Sequence, residues 1–185
     1  MAENKVHFGL KNVHYAVATI SGSTVSYGTP VAVPGAVSLD LQGSGDTNNF
    51  YADNTAYYVT YSNEGYSGTL EMARFTDDML KDIWGYTLGS TSKVLTESTS
   101  ATAKQFALLF EIDGDATAQH YVIYNCTAGK PSIGSSTTTE NTEPQTESCN
   151  ITALALPDGK VTAHTTDATP TATVTGWYTT VFVES

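Results

Sequence analysis

Residues 66–85 read YSGTLEMARFTDDMLKDIWG and contain the strongest local fold signal in the chain. In the first half of this stretch, polar and apolar residues alternate, with Leu70 and Met72 on one face and Thr69 and Glu71 on the other. Alternation with a period of two is typical of a β-strand that is buried on one side. We therefore predict that this half forms a strand of a sheet.

The second half of the stretch has the start and stop signals of one short helix, at about residues 76–84. Thr76 is a good N-cap, Asp77 and Asp78 lie at the positive end of the helix dipole, and Gly85 follows the last turn. The apolar stripe of the helix consists of Met79, Leu80 and Ile83. Adjacent carboxylates can also perform acid–base chemistry, but the capping pattern favours a structural role for both.

Short alternating runs between turn residues continue on both sides of this stretch and predict about eight to ten strands in all. We expect three hairpins, formed by residues 57–61 with 66–73, 105–112 with 119–125, and 151–156 with 161–165, and further strands at 14–20, 37–41 and 177–183. Loops are expected at the polar segment 42–49 and at the Thr- and Ser-rich segments near 129–147 and 165–175. The whole chain, residues 1–185, is then a single mainly β domain.

The composition supports this fold class. A chain of 185 residues that is 40% hydrophobic can bury one sizeable core and is too apolar to be disordered. Only 15% of the residues are charged, and Thr, Tyr, Val and Gly are abundant. Because β-branched and aromatic side chains suit a pleated surface, this composition excludes an all-helical bundle.

The charge balance excludes several partners. The formal net charge is −11, and the eight Lys and Arg residues are scattered singly, so we expect no specific nucleic-acid binding. No run has the roughly 18–20 apolar residues of a membrane span. The N-terminal MAENKVHFGL lacks the apolar segment of a signal peptide, so we expect folding in a cytoplasm, with Cys126 and Cys149 reduced.

No motif supports a catalytic, metal or cofactor site. The four histidines stand apart from one another and from the cysteines, which is not the spacing of metal ligands. Asp113 and Asp115 fit a turn between two strands better than a Ca²⁺ loop, which needs a glutamate further on. Nucleophile elbows, phosphate loops and dinucleotide fingerprints are absent from the sequence. We predict that the protein is not an enzyme and takes no cofactor.

Five tyrosines cluster within sixteen residues, namely Tyr51, Tyr57, Tyr58, Tyr61 and Tyr66. Such a cluster can form a sugar-binding platform, a packed sheet or a subunit interface. The adjacent Tyr57 and Tyr58 must point to opposite faces of a strand. This favours a strand covered on both sides over a flat exposed platform.

Several stretches together resemble a known family. In order, they are FGLKNVHYA at 8–16, FYADN at 50–54, GTLEMA at 68–73 with the helix that follows, EPQTE at 143–147 with ITA at 151–153, and PDGK at 157–160. In order and spacing they are similar to the major tail protein, the tail tube subunit, of bacteriophages with long flexible tails. The Thr-rich segments at 135–142 and 165–175 depart from the family pattern.

The resemblance implies a β-sandwich-like barrel with one flanking helix. It implies that six copies form a ring and that stacked rings form a virion tail tube, assembled in the host cytoplasm, through which DNA passes during ejection. The partners would be the protein itself and other tail proteins such as the tape measure, initiator and terminator. Edge strands would then pair across subunits.

Two sets of site residues follow as hypotheses. We expect the polar loop at 42–49 and the residues after it to form subunit or ring contacts, with Asp46, Asn49, Tyr51, Asp53 and Asn54 as candidates. We expect the polar face of the hairpin around residues 57–73 to line the lumen, with Thr60, Thr69 and Glu71 as candidates. A mobile surface loop is the alternative for the first set, and a solvated outer face is the alternative for the second.

A second class of function also fits the sequence. Clustered tyrosines and Thr-rich loops are typical of β-sandwich modules for adhesion or carbohydrate binding. The helix at residues 76–84 and the lack of a signal-peptide pattern argue against such a module. An enzyme, the third class, has no positive feature in the sequence.

Overall fold

The computed structural model describes residues 4–137 and 144–184 and consists mainly of β-strands with two short helices. The strands are β1 His7–Ser21, β2 Thr24–Tyr27, β3 Val31–Ala32, β4 Ala36–Ser44, β5 Thr47–Ala52, β6 Thr55–Tyr61, β7 Gly65–Met72, β8 Thr87–Leu88, β9 Leu95–Thr96, β10 Phe106–Gly114, β11 Gln119–Ala128, β12 Glu147–Ala153 and β13 Thr162–His164. The helices are α1 Asp77–Trp84 and α2 Thr171–Gly176. The predicted mainly β fold is confirmed.

One antiparallel sheet of nine strands contains most of the chain. Its order is β2-β1-β10-β11-β12-β7-β4, with β13 added to β11 and β3 added to β1. The other strands form two separate two-stranded hairpins, β5 with β6 and β8 with β9. Among the described strands, β4 pairs with β7 alone; β1 lies near β4 without pairing with it, so the far edge of β4 is unpaired.

Apolar side chains form a cluster on each face of the sheet. The larger cluster holds α1 against the sheet and includes Leu70, Met72, Phe75, Met79, Ile83, Phe106, Leu108 and Ile151. The smaller cluster lies on the other face of β1, β10 and β11, where the C-terminal segment covers it with Trp177, Val181 and Phe182. Burial on both faces explains the continuous apolar runs at residues 106–110 of β10 and 121–124 of β11.

The predicted helix is confirmed, because its signals are local. The hydroxyl of Thr76 accepts a hydrogen bond from Met79 N at 3.2 Å, and Gly85 adopts the left-handed conformation with φ 71°. Trp84 then fixes the exit of the helix, since its Nε1 donates to the carbonyl oxygen of Gly129 at 2.8 Å. The predicted hairpin of 105–112 with 119–125 is confirmed as β10 and β11.

Two predicted hairpins are wrong. β6 pairs with β5 rather than with β7, and β7 lies between β4 and β12. The predicted loop at 42–49 is also wrong, because its ends belong to β4 and β5 and only Gly45 and Asp46 lie outside both strands. The third predicted hairpin fails because β13 pairs with β11 while β12 pairs with β11 and β7.

The C-terminal region also differs from expectation. The predicted strand at 177–183 has no regular structure, and α2 interrupts the predicted loop at 165–175. Trp177 and its neighbours pack as a strap across the sheet and do not add a strand to it. Of the predicted loop near 129–147, the residues 129–137 and 144–146 are irregular, Glu147 begins β12, and 138–143 lie outside the described residues.

The register of β7 depends on a glycine at its first position. Gly65 has φ +107°, and a Cβ there would lie 1.9 Å from the carbonyl oxygen of Ala153 in β12. We expect Gly65→Ala to lower the free energy of unfolding by roughly 2–4 kcal/mol, measured by denaturant unfolding. Gly43→Ala in β4 is the matched control, because nothing lies within 4 Å of its Cβ position. Equal stability of the two variants would contradict this account of β7.

Candidate functional site

The hairpin of β5 and β6 projects from the end of the main sheet, and we call residues 47–61 the arm. It continues the ribbon of β4 and β7 beyond a tight pivot, where Ser62 N donates to Asp46 O and Asp46 N donates to Ser62 Oγ, both at 2.9 Å. A Cβ on Gly45 would lie 1.7 Å from the carbonyl oxygen of Ser62. The two strands of the arm therefore leave the sheet at a fixed, close spacing.

The tip of the arm is a two-residue turn. Asp53 and Asn54 both have positive φ, 52° and 58°, which is the backbone of a type I′ turn. Asn and Asp tolerate this conformation better than other non-glycine residues. This tight turn brings β6 directly beside β5, which explains why these two strands pair.

Neither face of the arm is covered. Phe50 lies opposite Tyr58 on one face, and Asn49 lies opposite Val59 on the other, next to Tyr57 and Tyr61 along β6. The exposed fractions are 73% for Tyr57, 64% for Tyr51, 63% for Tyr58, 62% for Tyr61, 61% for Phe50 and 55% for Val59. The prediction that this strand is covered on both sides is therefore wrong for the part of the chain that the structure describes.

This exposure is large for a protein surface. Five aromatic residues exposed by about two thirds present on the order of 600 Å² in total, divided between the two faces of the arm. A two-stranded hairpin without a covered face is at best marginally stable in water. The arm therefore has the properties of a segment that packs against another protein.

A second surface lies on the main sheet, where the outward side chains of three strands are all polar. Register brings Ser38, Glu71 and Ser148 into one row, Asp40, Thr69 and Asn150 into the next, and Gln42, Ser67 and Thr152 into a third. Thr127 extends this polar face onto the end of β11. β4, β7 and β12 contain no Lys, Arg or His.

Glu71 is held in its charged form on the polar face. Its carboxylate accepts hydrogen bonds from Thr146 Oγ1 at 2.5 Å and from Ser38 Oγ at 2.9 Å. These bonds, the one from Thr146 first, lower the pKa of Glu71. The carboxylate therefore stays ionised further into the acid range than an ordinary glutamate.

The structure brings most of the predicted site residues onto these two surfaces. Asn49 and Tyr51 lie on β5, Asp53 and Asn54 form the tip, and Asp46 lies at the pivot. Thr69 and Glu71 share the polar face as predicted. Thr60 does not belong with them: it lies on the arm, in a separate sheet, where its Oγ1 donates to Asn48 O at 3.4 Å.

Sequence reasoning missed five exposed apolar residues of the arm as contact candidates, namely Phe50, Tyr57, Tyr58, Val59 and Tyr61. Their signal was present, since apolar residues occupy successive positions from Tyr57 to Val59 and so must lie on both faces of one strand. A strand of a half-buried sheet would alternate.

The one buried carboxylate of the sheet has a structural environment. Glu111 receives a hydrogen bond from Asn12 Nδ2 at 2.6 Å, pairs with Lys11 Nζ at 3.2 Å, and lies 3.6 Å from His120 Nε2. The C-terminal strap covers this group, with Tyr178 stacked on His14 at 4.4 Å between ring centroids. The cluster thus joins the strap to the sheet.

Across residues 4–137 and 144–184, no group of three His, Cys, Asp or Glu side chains is placed to hold a metal ion. Neither helix has the length and hydropathy needed to cross a membrane in this part of the chain. Both cysteines are unpaired thiols in the core, and burial raises the pKa of Cys126 and of Cys149 to about 12. A scan against protein-family models and a search of curated proteins both returned no match for this chain.

The hydrogen bond from Thr146 can be tested directly. We expect Thr146→Val to raise the pKa of Glu71 towards its ordinary value, measured by NMR titration of the side-chain carboxyl carbon. Thr152→Val is the matched control, because Thr152 lies on the same polar face but in the row of Ser67. An unchanged Glu71 titration in Thr146→Val would contradict the assigned bond.

Proposed function

We propose that this protein is the tail tube subunit of a bacteriophage with a long flexible tail, and that copies of it assemble into six-membered rings that stack into a tube. The observation that carries the proposal is the arm, whose two apolar faces are left uncovered by residues 4–137 and 144–184. The family resemblance of the sequence agrees with it. The protein is then a structural component of the virion, assembled in the host cytoplasm.

The arm supports repeated self-association. Its exposed area of roughly 600 Å² is close to the ~800 Å² that one partner buries in a stable protein interface. It projects from one end of the sheet, so that its cover must come from beyond its own domain. A second copy of the same chain supplies such a surface at every step of a growing stack.

The polar face supports a conduit for DNA. β4, β7, β12 and the end of β11 give four strands per copy, and the free edge of β4 is available to pair with a neighbour. Six copies then give about 24 strands, which at roughly 4.8 Å spacing and about 40° tilt form a barrel about 48 Å across, with a lumen of roughly 38 Å. Duplex DNA fits such a lumen.

The charge of that face suits passage of DNA. On this face Asp40 and Glu71 are acidic, and β4, β7 and β12 contain no Lys, Arg or His. A wall of this kind repels phosphate, whereas Lys and Arg would form many weak contacts that hold the DNA. The other tail proteins, namely the tape measure, initiator and terminator, would be the remaining partners.

A β-sandwich module for adhesion or carbohydrate binding is the second candidate. The exposed rings of the arm favour it, because flat aromatic faces also suit sugar rings. A glycan array separates the two candidates, since a tube subunit has no reason to retain a glycan through these tyrosines.

Electron microscopy of the concentrated protein, with light scattering for mass, tests the proposal. We expect hollow tubes or six-membered rings, and we expect the double variant Tyr57→Ser, Tyr58→Ser to remain monomeric while keeping its stability, because both side chains are exposed in the single chain. Leu88→Ser with Val94→Ser is the matched control, since these exposed residues lie in the other small hairpin region. A protein that stays monomeric at every concentration and binds glycans through the arm would overturn the proposal.

A charge reversal tests the lumen assignment. We expect tubes of Glu71→Lys to retain short duplex DNA in a sedimentation assay at low salt, and wild-type tubes to retain none. Asp167→Lys is the control, because Asp167 lies outside the polar face and accepts a hydrogen bond from Thr117. Equal retention by both variants would place Glu71 outside the lumen.

A further inference from the structure

We propose that the tip of the arm docks on the surface around Arg74 of a second copy, so that the subunits join head to tail. The inference rests on the proposed function and names the acceptor that each arm would use. The acceptor surface is formed by residues around the turn between β7 and α1. The segment that binds there is the arm tip of another copy of this chain.

The two surfaces lie at opposite ends of one strand. The arm enters β7 at Gly65, and Arg74 follows Met72 at the other end by two residues. An eight-residue strand is about 26 Å long. Because the projecting element and the acceptor point away from each other, association through them is heterologous and stays open for the next copy.

The acceptor is the one arginine of the chain and the shallow cavity beside it. The side chain of Arg74 is 74% exposed, and its Nη2 donates to Asp77 Oδ1 at 3.1 Å. Most donors of the guanidinium fork remain available at that exposure. The adjacent cavity of about 350 Å³ is lined by Pro34, Arg74, Phe75, Thr76, Asp77 and Asp78.

Charge favours this acceptor over the rest of an acidic protein. The arm and its pivot carry Asp46 and Asp53 without any basic residue between residues 36 and 73. At the acceptor, Arg74 pairs with Asp77, and Lys81 pairs with Asp78 at 2.6 Å, so that the two nearest carboxylates are already neutralised. The four charges of these two pairs sum to zero, so an acidic tip meets a locally neutral surface on which Arg74 still has N–H donors available.

The tip also has the chemistry that a guanidinium binds best. Asp53 offers a carboxylate at the apex of the turn, and Tyr51 and Tyr57 flank it with exposed rings. Arginine can pair with a carboxylate through two parallel N–H donors and can also stack on an aromatic face. Tyr and Arg are the residues that most often carry the binding energy of an interface.

A charge swap in the full chain tests the contact. We expect Asp53→Lys and Arg74→Glu each to raise the protein concentration needed for tube growth by about tenfold or more, and the double variant to restore growth. Lysine at position 53 strains the turn in both the single and the double variant, so restored growth reports the contact with position 74. Lys104→Glu, another exposed cation beyond β7, is the matched control and should assemble like wild type.

A cross-link decides the matter if the swap fails to restore growth. With Asp53→Cys and Arg74→Cys in one chain, oxidised tubes should give a ladder of linked subunits on a non-reducing gel, and either single variant should give none. The native cysteines do not interfere because both are buried. Tubes that grow unchanged with Arg74→Glu and give no ladder overturn this acceptor but leave the proposed function intact. A wild-type chain without rings or tubes would overturn both.

Discussion

The close approach of backbones on both sides of β7 is the constraint on which the rest of the structure depends. A Cβ on Gly68 would lie 1.8 Å from the carbonyl oxygen of Asp40 in β4, and one on Gly65 would lie 1.9 Å from that of Ala153 in β12. Only glycine allows both neighbours to come this near. β7 thereby fixes the row order of the polar face, the root of the arm at one end, and the start of α1 at the other.

The end of β7 is anchored as firmly as its beginning. Phe75 N donates to Glu147 Oε2 at 2.8 Å, and the Phe75 ring packs edge-on against Trp84 at 5.4 Å. This places α1 and the exposed Arg74 on a rigid part of the fold. The arm has no such anchoring beyond its pivot, so the two ends of one strand differ in stiffness, with an unpacked element at one end and a packed surface at the other.

What the sequence predicts correctly here is encoded within a few residues. The cap at Thr76 and the stop at Gly85 lie within one helix, and the turn between β10 and β11 lies between adjacent strands. The errors concern pairing between strands that are far apart in sequence. β7 pairs with β4, which precedes it, and with β12, which follows it much later in the chain. Asp53 and Asn54 were identified as contact candidates, yet their turn-forming tendency was the local signal that paired β5 with β6.

The arm combines apolar residues that favour association with acidic residues that oppose it. Exposed aromatic rings on both faces invite unselective association, as any uncovered apolar hairpin does. Asp46 and Asp53 oppose this, because two arms that meet bring like charges together within a chain of net charge −11. The apolar faces of the arm can therefore pack favourably only on a surface that also accepts the carboxylates of Asp46 and Asp53. In the proposed assembly, charge would select the partner surface, and burial of the aromatic residues of the arm would supply the affinity.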